Sequence, residues 1–106
     1  MPKPKLDPMP SAAFHIMLAL ADQDRHGYGI MREVAELTGG RMRLGPGTLY
    51  GSIKTLLDAE LIVELEERDE RRRYYRLTPA GRKLAKAEAA RLAETVRIAR
   101  AKKMYA

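Results

Sequence analysis

Five arginines, Arg68, Arg71, Arg72, Arg73 and Arg76, fall within nine residues. A guanidinium fork grips phosphate oxygens and keeps its charge at any physiological pH, so such a cluster suits a polyanion. Glu66, Glu67, Asp69 and Glu70 interleave with it, and a solvated, partly neutralised hairpin tip is the other use of such a run. Upstream lies a second polar set on one expected helix face. There Lys54 suits a phosphate, Thr48, Ser52 and Thr55 suit phosphates or base edges, and Gly47 and Gly51 admit a close backbone approach. Other chemistry has little support. Without cysteine there is no thiolate nucleophile, no disulfide and no Cys-ligated metal. His15 and His26 are the only histidines, too few for a zinc site without acidic help. There is no phosphate-loop pattern and no supported Ser-His-Asp set, and the only carboxylates paired on one face are Glu64 and Glu66. No enzymatic activity, cofactor or metal is expected.

The charge is uneven along the 106 residues. Met1 to Thr78 carries 12 basic and 12 acidic side chains, and Pro79 onward carries 8 and 2, so the net +6 lies wholly in the last segment. Hydrophobic residues make up 45%, enough for the core of one small domain. No apolar run approaches the roughly 18 to 20 residues of a membrane span, and no signal-peptide pattern opens the chain. A soluble, cytoplasmic protein is the expectation.

The elements that must position these residues follow from periodicity. Residues 1–10 hold four prolines and read as a flexible arm. Ser11 is a candidate N-cap for a helix to about Asp22 that is apolar on every side except His15, which asks for burial all round and so for a second copy of the chain. A helix over about 28–38 stripes Ile30, Val34 and Leu37 and stops at Gly39 and Gly40. Pro46 opens a third helix with Leu49, Ile53, Leu56 and Leu57 inward. Period-two alternation then places Leu61, Val63 and Leu65 opposite Ile62, Glu64 and Glu66 on a strand. Residues 73–77 form its partner, with Tyr74 and Tyr75 facing opposite ways. Thr78 and Pro79 read as N-cap and first residue of a long last helix, on which Ala85, Ala89, Leu92, Val96 and Ala99 recur as a helix-packing seam.

Three helices, a charged two-stranded hairpin and a further helix predict an α+β fold, mainly α with a small β-hairpin. It comprises a winged helix-turn-helix domain over 11–78 and a C-terminal dimerisation helix over 79–106. In that fold the third helix enters the major groove, and Arg71, Arg72 and Arg73 contact phosphate or the minor groove from the wing.

The stretches HGYGI (His26 to Ile30), GPGTLYGSI (Gly45 to Ile53), LLDAELI (Leu56 to Ile62) and RRRYYRLTPAGR (Arg71 to Arg82) resemble the DNA-binding domain of PadR-like transcriptional regulators. The resemblance implies that Thr48, Leu49 and Tyr50 begin the recognition helix. It also implies that Arg73 and Tyr74 belong to the wing strand, and that the Gly27-Tyr28-Gly29 turn lies near the DNA backbone. It departs at Gly45, where many relatives carry Ser or Thr, and in its single C-terminal helix, which resembles the short form that dimerises through its first and last helices. Some short relatives hold flat aromatic compounds with a Trp on that helix, and this chain has no Trp. The expected function is a homodimeric repressor on a palindromic promoter site in double-stranded DNA, released by a small hydrophobic or aromatic effector. Phe14, His15, Leu18, Leu92 and Val96 are the candidate lining of the gap between subunits, with Met17 and Met104 repacking around the effector. A winged-helix protein-interaction module and a nonspecific DNA-binding protein are the alternatives.

Overall fold

A computed structural model describes residues 6–66 and 72–106. Four helices, α1 (Ser11–Ala19), α2 (Gly27–Leu37), α3 (Pro46–Asp58) and α4 (Pro79–Ala101), accompany three short strands, β1 (Arg25–His26), β2 (Ile62–Glu64) and β3 (Tyr74–Leu77). The strands form one antiparallel sheet in the order β1-β3-β2, with His26 opposite Tyr74 and Ile62 opposite Leu77. Among the described residues no helix is long and apolar enough to cross a membrane.

α1 is the hub, packing against α2, α3 and α4. Its Ile16 and Met17 are fully buried, together with Ile30 and Val34 of α2, Leu49 and Leu56 of α3, and Ile62 of β2. Each such side chain removed from water contributes about 1.5–3 kcal/mol. The helix differs from its expected form at both ends. Pro10 is the N-cap and makes no side-chain bond, while Ser11 lies inside the helix with its carbonyl accepting from His15 Nδ1 at 2.8 Å. The helix stops at Ala19, short of Asp22, because Arg25 Nε donates to the Ala19 carbonyl at 2.7 Å and the Leu20 amide bonds back to Ile16 and Met17. In the described part of residues 1–10, Leu6 is buried in the core and Met9 packs on it.

Three helices end in the same way. At α2 the Gly40 and Gly39 amides donate to the Ala35 and Glu36 carbonyls; at α3 the Leu61 and Glu60 amides donate to Leu56 and Leu57; at α4 the Met104 and Lys103 amides donate to Ala99 and Arg100. This double bond reversal needs a left-handed residue. Gly39 supplies it without strain at φ +60°, whereas Glu60 and Lys103 adopt φ near +60° with a side chain attached. The α3 reversal also shifts the expected phase of β2. Leu61 is buried by the turn, and the pleat begins with Ile62 inward at 1% exposure and Val63 outward at 42%. On β3 the two tyrosines divide, Tyr75 entering the core at 4% exposure and Tyr74 remaining open at 36%.

Thr78 caps α4 as expected, its hydroxyl oxygen accepting from the Gly81 amide at 2.9 Å. Gly81 is the only buried residue of α4, and a Cβ there would collide with the Leu61 carbonyl and lie 2.7 Å from Leu77 Cδ1. Gly81→Ala should therefore destabilise the fold by about 1–3 kcal/mol, the cost of an overpacked site. Urea denaturation checks this; an unchanged midpoint would mean that the helix start can shift freely.

Candidate nucleic-acid interface

A cleft of about 600 Å³ opens where β1 turns into α2, lined by His26, Gly27, Tyr28, Tyr50, Arg72, Arg73 and Tyr75. Three elements meet there: the start of α2, the first turn of α3 and the wing. His26 organises it. As N-cap of α2 its Nδ1 accepts from the Gly29 amide at 3.1 Å, and its ring stacks near Tyr28 (6.4 Å, 9°) and meets Tyr74 edge-on (5.3 Å, 89°). Its Nε2 lies 3.4 Å from Arg72 Nη1. The Tyr50 ring packs so close to the α2 backbone that a Cβ at Gly27 would lie 2.7 Å from the phenol oxygen. Glycine at 27 thus leaves room for the Tyr50 ring to lie against the start of α2.

The expected site residues divide between this cleft and the adjoining face. Tyr28, Tyr50, Arg72 and Arg73 line the cleft, and Tyr74 borders it through His26. Gly47, Thr48, Gly51 and Lys54 are exposed on the outward face of α3, with Ser52 and Thr55 half-buried beside them. Thr55 donates its hydroxyl to the Gly51 carbonyl at 3.1 Å, so it can only accept from a partner. Lys54 pairs with Asp58 at 3.2 Å on the surface, a contact that a phosphate can replace. Arg71 lies outside the described residues. Sequence reasoning passed over His26 and Tyr75 as parts of the site, and reached Gly27 only through the turn that it placed near the DNA backbone. The signal available was a histidine set three residues before a free helical amide.

The wing arginines have different occupations. Arg76 binds Asp24 through two bonds, 3.0 and 2.8 Å, and the Arg76 guanidinium holds the Asp24 carboxyl below its usual range. Arg73 reaches Glu64 only at 3.7 Å. Among the described residues no carboxylate pairs with Arg72.

The residues expected between subunits lie on α1 and α4. Leu18, Leu92 and Val96 are exposed at 37%, 37% and 41%, and His15 is half-buried. Phe14 is already covered by its own chain, and Met17 is wholly within the core, which removes Met17 from any gap. Met104 is exposed.

Burial first, and then the Arg72 charge, hold the His26 imidazole below its ordinary pKa of 6.5. The unfolded chain therefore takes up this proton at higher pH than the folded one, so stability is full above pH 6.5 and is lost as pH falls through the lowered folded value. Asn is also a strong N-cap, so His26→Asn should flatten the decline in Tm between about pH 7 and pH 5. A decline equally steep in the variant would assign the proton to another group.

The Transcriptional regulator PadR-like family matches this chain over residues 16–87. A curated relative, an uncharacterized 37.1 kDa protein in transposon TN4556 of Streptomyces fradiae, is 45% identical over 74 residues, 70% of this chain and 21% of the relative. The chain thus spans about a fifth of that relative's length. Among solved structures, a transcriptional regulator from Clostridium thermocellum superposes with a TM-score of 0.73 at 26% identity, covering 81% of this chain and 86% of that one. RosR of H. salinarum gives 0.67 at 26% identity, covering 88% and 79%. A PadR family transcription regulator from Clostridium difficile shares the fold at a TM-score of 0.75 and 23% identity, covering 86% and 96%. With its motifs, its winged fold and a match across most of its length, the chain belongs to the PadR-like family of transcriptional regulators.

Proposed function

We propose that this chain is a sequence-specific DNA-binding regulator, acting as a homodimeric repressor on a palindromic promoter site. The observation that carries this reading is the meeting of Arg72, Arg73, Tyr28 and Tyr50 in one cleft, beside the exposed Gly47, Thr48, Gly51 and Lys54 on α3. Cationic and phenolic donors hold a duplex backbone, and the polar helix face reads the major groove. The glycines support it further. A Cβ at Gly47 or Gly51 would meet nothing within 4 Å in the chain itself, so the room they leave serves an incoming partner.

Dimerisation is supported by α4. Only its start packs on the core, while Leu92, Val96 and Ile98 remain exposed. The radius of gyration is 14.9 Å, against about 13 Å for a compact domain of this length. A second copy covering this face and Leu18 of α1 closes the core and sets two α3 helices on a two-fold axis, to meet half-sites about 34 Å apart. An effector lodged between Leu18, His15, Leu92 and Val96 would alter that spacing and release the DNA. Nonspecific packaging by the basic α4 is less well supported, since Arg91 and Arg97 are bonded to Glu88 and Glu94 at 2.7 and 2.6 Å.

Selection from random DNA should return a palindrome bound with steep salt dependence; equal binding to all sequences, or none at low salt, would overturn the reading. Gly51→Ala should stabilise α3 by about 1 kcal/mol yet weaken binding to the selected site. Light scattering should give a dimer for the native chain and a monomer for Leu92→Glu or Val96→Glu, whereas a well-folded native monomer of 12.0 kDa would exclude the two-fold site.

A further inference from the structure

Nδ1 of His26 accepts from the Gly29 amide at 3.1 Å, so this nitrogen carries a lone pair. A neutral imidazole then bears its hydrogen on Nε2. That Nε2–H faces Arg72 Nη1 at 3.4 Å, and a guanidinium nitrogen is always a donor. Two donors thus oppose each other with no acceptor between them among the described residues. The imidazole cannot turn away without losing the α2 cap and its packing on Tyr28 and Tyr74.

We propose that His26 and Arg72 jointly clamp one phosphodiester group of bound DNA, the neutral imidazole donating through Nε2 while its Nδ1 caps α2. This rests on the DNA-binding reading above and assigns to that site a residue with two simultaneous roles. An oxyanion at the mouth of the cleft accepts from both donors and satisfies each. Burial and the neighbouring cation favour the neutral ring, which is the form that can cap and donate together. A polymer is favoured over a free anion because the cleft continues past Arg73, Tyr28 and Tyr50, donors for which one small ion would be too short.

The test uses the full chain and its selected duplex. His26→Asn retains the cap and removes the Nε2 donor. It should keep the thermal midpoint at pH 7 while lowering affinity about tenfold or more, as expected for a hydrogen bond to a charged group. Its salt slope should match that of the native chain, because a neutral donor displaces no counterion. Arg72→Ala should instead lower the slope by about 0.9 per subunit. In the double variant, His26→Asn should add much less than it does alone. Long-range proton–nitrogen correlation on the free protein should show the Nε2–H tautomer. Native affinity in His26→Asn, full additivity with Arg72→Ala, or an Nδ1–H tautomer would each overturn the clamp while leaving DNA binding intact. A native chain that binds an acidic protein and no DNA would overturn the functional reading and the clamp together.

Discussion

At the corner between β3 and α4, Thr78 is bonded through its amide, its hydroxyl and its carbonyl, the last accepting from the Arg82 amide at 2.9 Å. Its amide donates to the Leu61 carbonyl at 3.1 Å, its hydroxyl donates to the Glu60 carbonyl at 2.9 Å, and the same oxygen accepts from the Gly81 amide. The end of α3, the start of β2, the end of β3 and the first turn of α4 are thereby held in one knot. Gly81 makes it possible, since any side chain there would strike the Leu61 carbonyl. Beyond this corner α4 runs for 23 residues, about 35 Å at 1.5 Å per residue. A tilt of about 5° at the corner would carry its far end about 3 Å. The angle at which the last helix leaves the winged domain is therefore set at this corner, together with the packing of α1 on α4 and the Arg82 bond to the Ala21 carbonyl.

A second set of ties fixes the other side of the wing. Arg25 bonds the Ala19 carbonyl and reaches Glu33 at 3.3 Å, joining the end of α1 to α2. Arg82 donates to the Ala21 carbonyl at 3.0 Å. Asp24 and Arg76 pair across β1 and β3 through both guanidinium arms. Exposed single-contact pairs are worth about 0–1 kcal/mol, so the 3.7 Å contact of Arg73 with Glu64 costs little to break. Arg76, held by two bonds with its partner aligned by the sheet, is a strut. Among the described arginines of the run, Arg76 on β3 thus builds the wing, while Arg72 and Arg73 line the cleft beside it.

Much of the architecture was legible because each element carries its own local code. Pro46 and Thr78-Pro79 announce helix starts, Gly39-Gly40 a helix end, and Leu49, Ile53 and Leu56 an inward face. What failed was set by contacts distant in the chain. β1 is two residues long and exists only because β3 offers it a partner. The end of α1 is decided by a side chain on β1. The phase of β2 slipped because Glu60 adopts a left-handed conformation that sequence assigns to glycine, so a turn rather than a pleat buries Leu61. In the site, the exposed α3 stripe and Arg72 and Arg73 could be named from residue type. His26 could not, since its place in the cleft comes from pairing opposite Tyr74 and from Arg72 lying against its Nε2.

α1 explains how the two ends of such a molecule can communicate. It packs on α2, α3 and α4 and carries the fully buried Ile16 and Met17, while Leu18 is exposed. Close-packed interiors transmit displacement rather than absorb it. A shift of α4 across α1 would therefore be felt at α3, which packs on the same helix. The Thr78 corner resists that shift at one end of α4, which leaves the exposed end of the helix as the part free to move. A ligand can exploit this only by binding the two arrangements unequally. Of the residues considered for a gap between subunits, Leu18, Leu92 and Val96 lie exposed, whereas Ile16 and Met17 on the other side of α1 are sealed in the core and closed to any ligand.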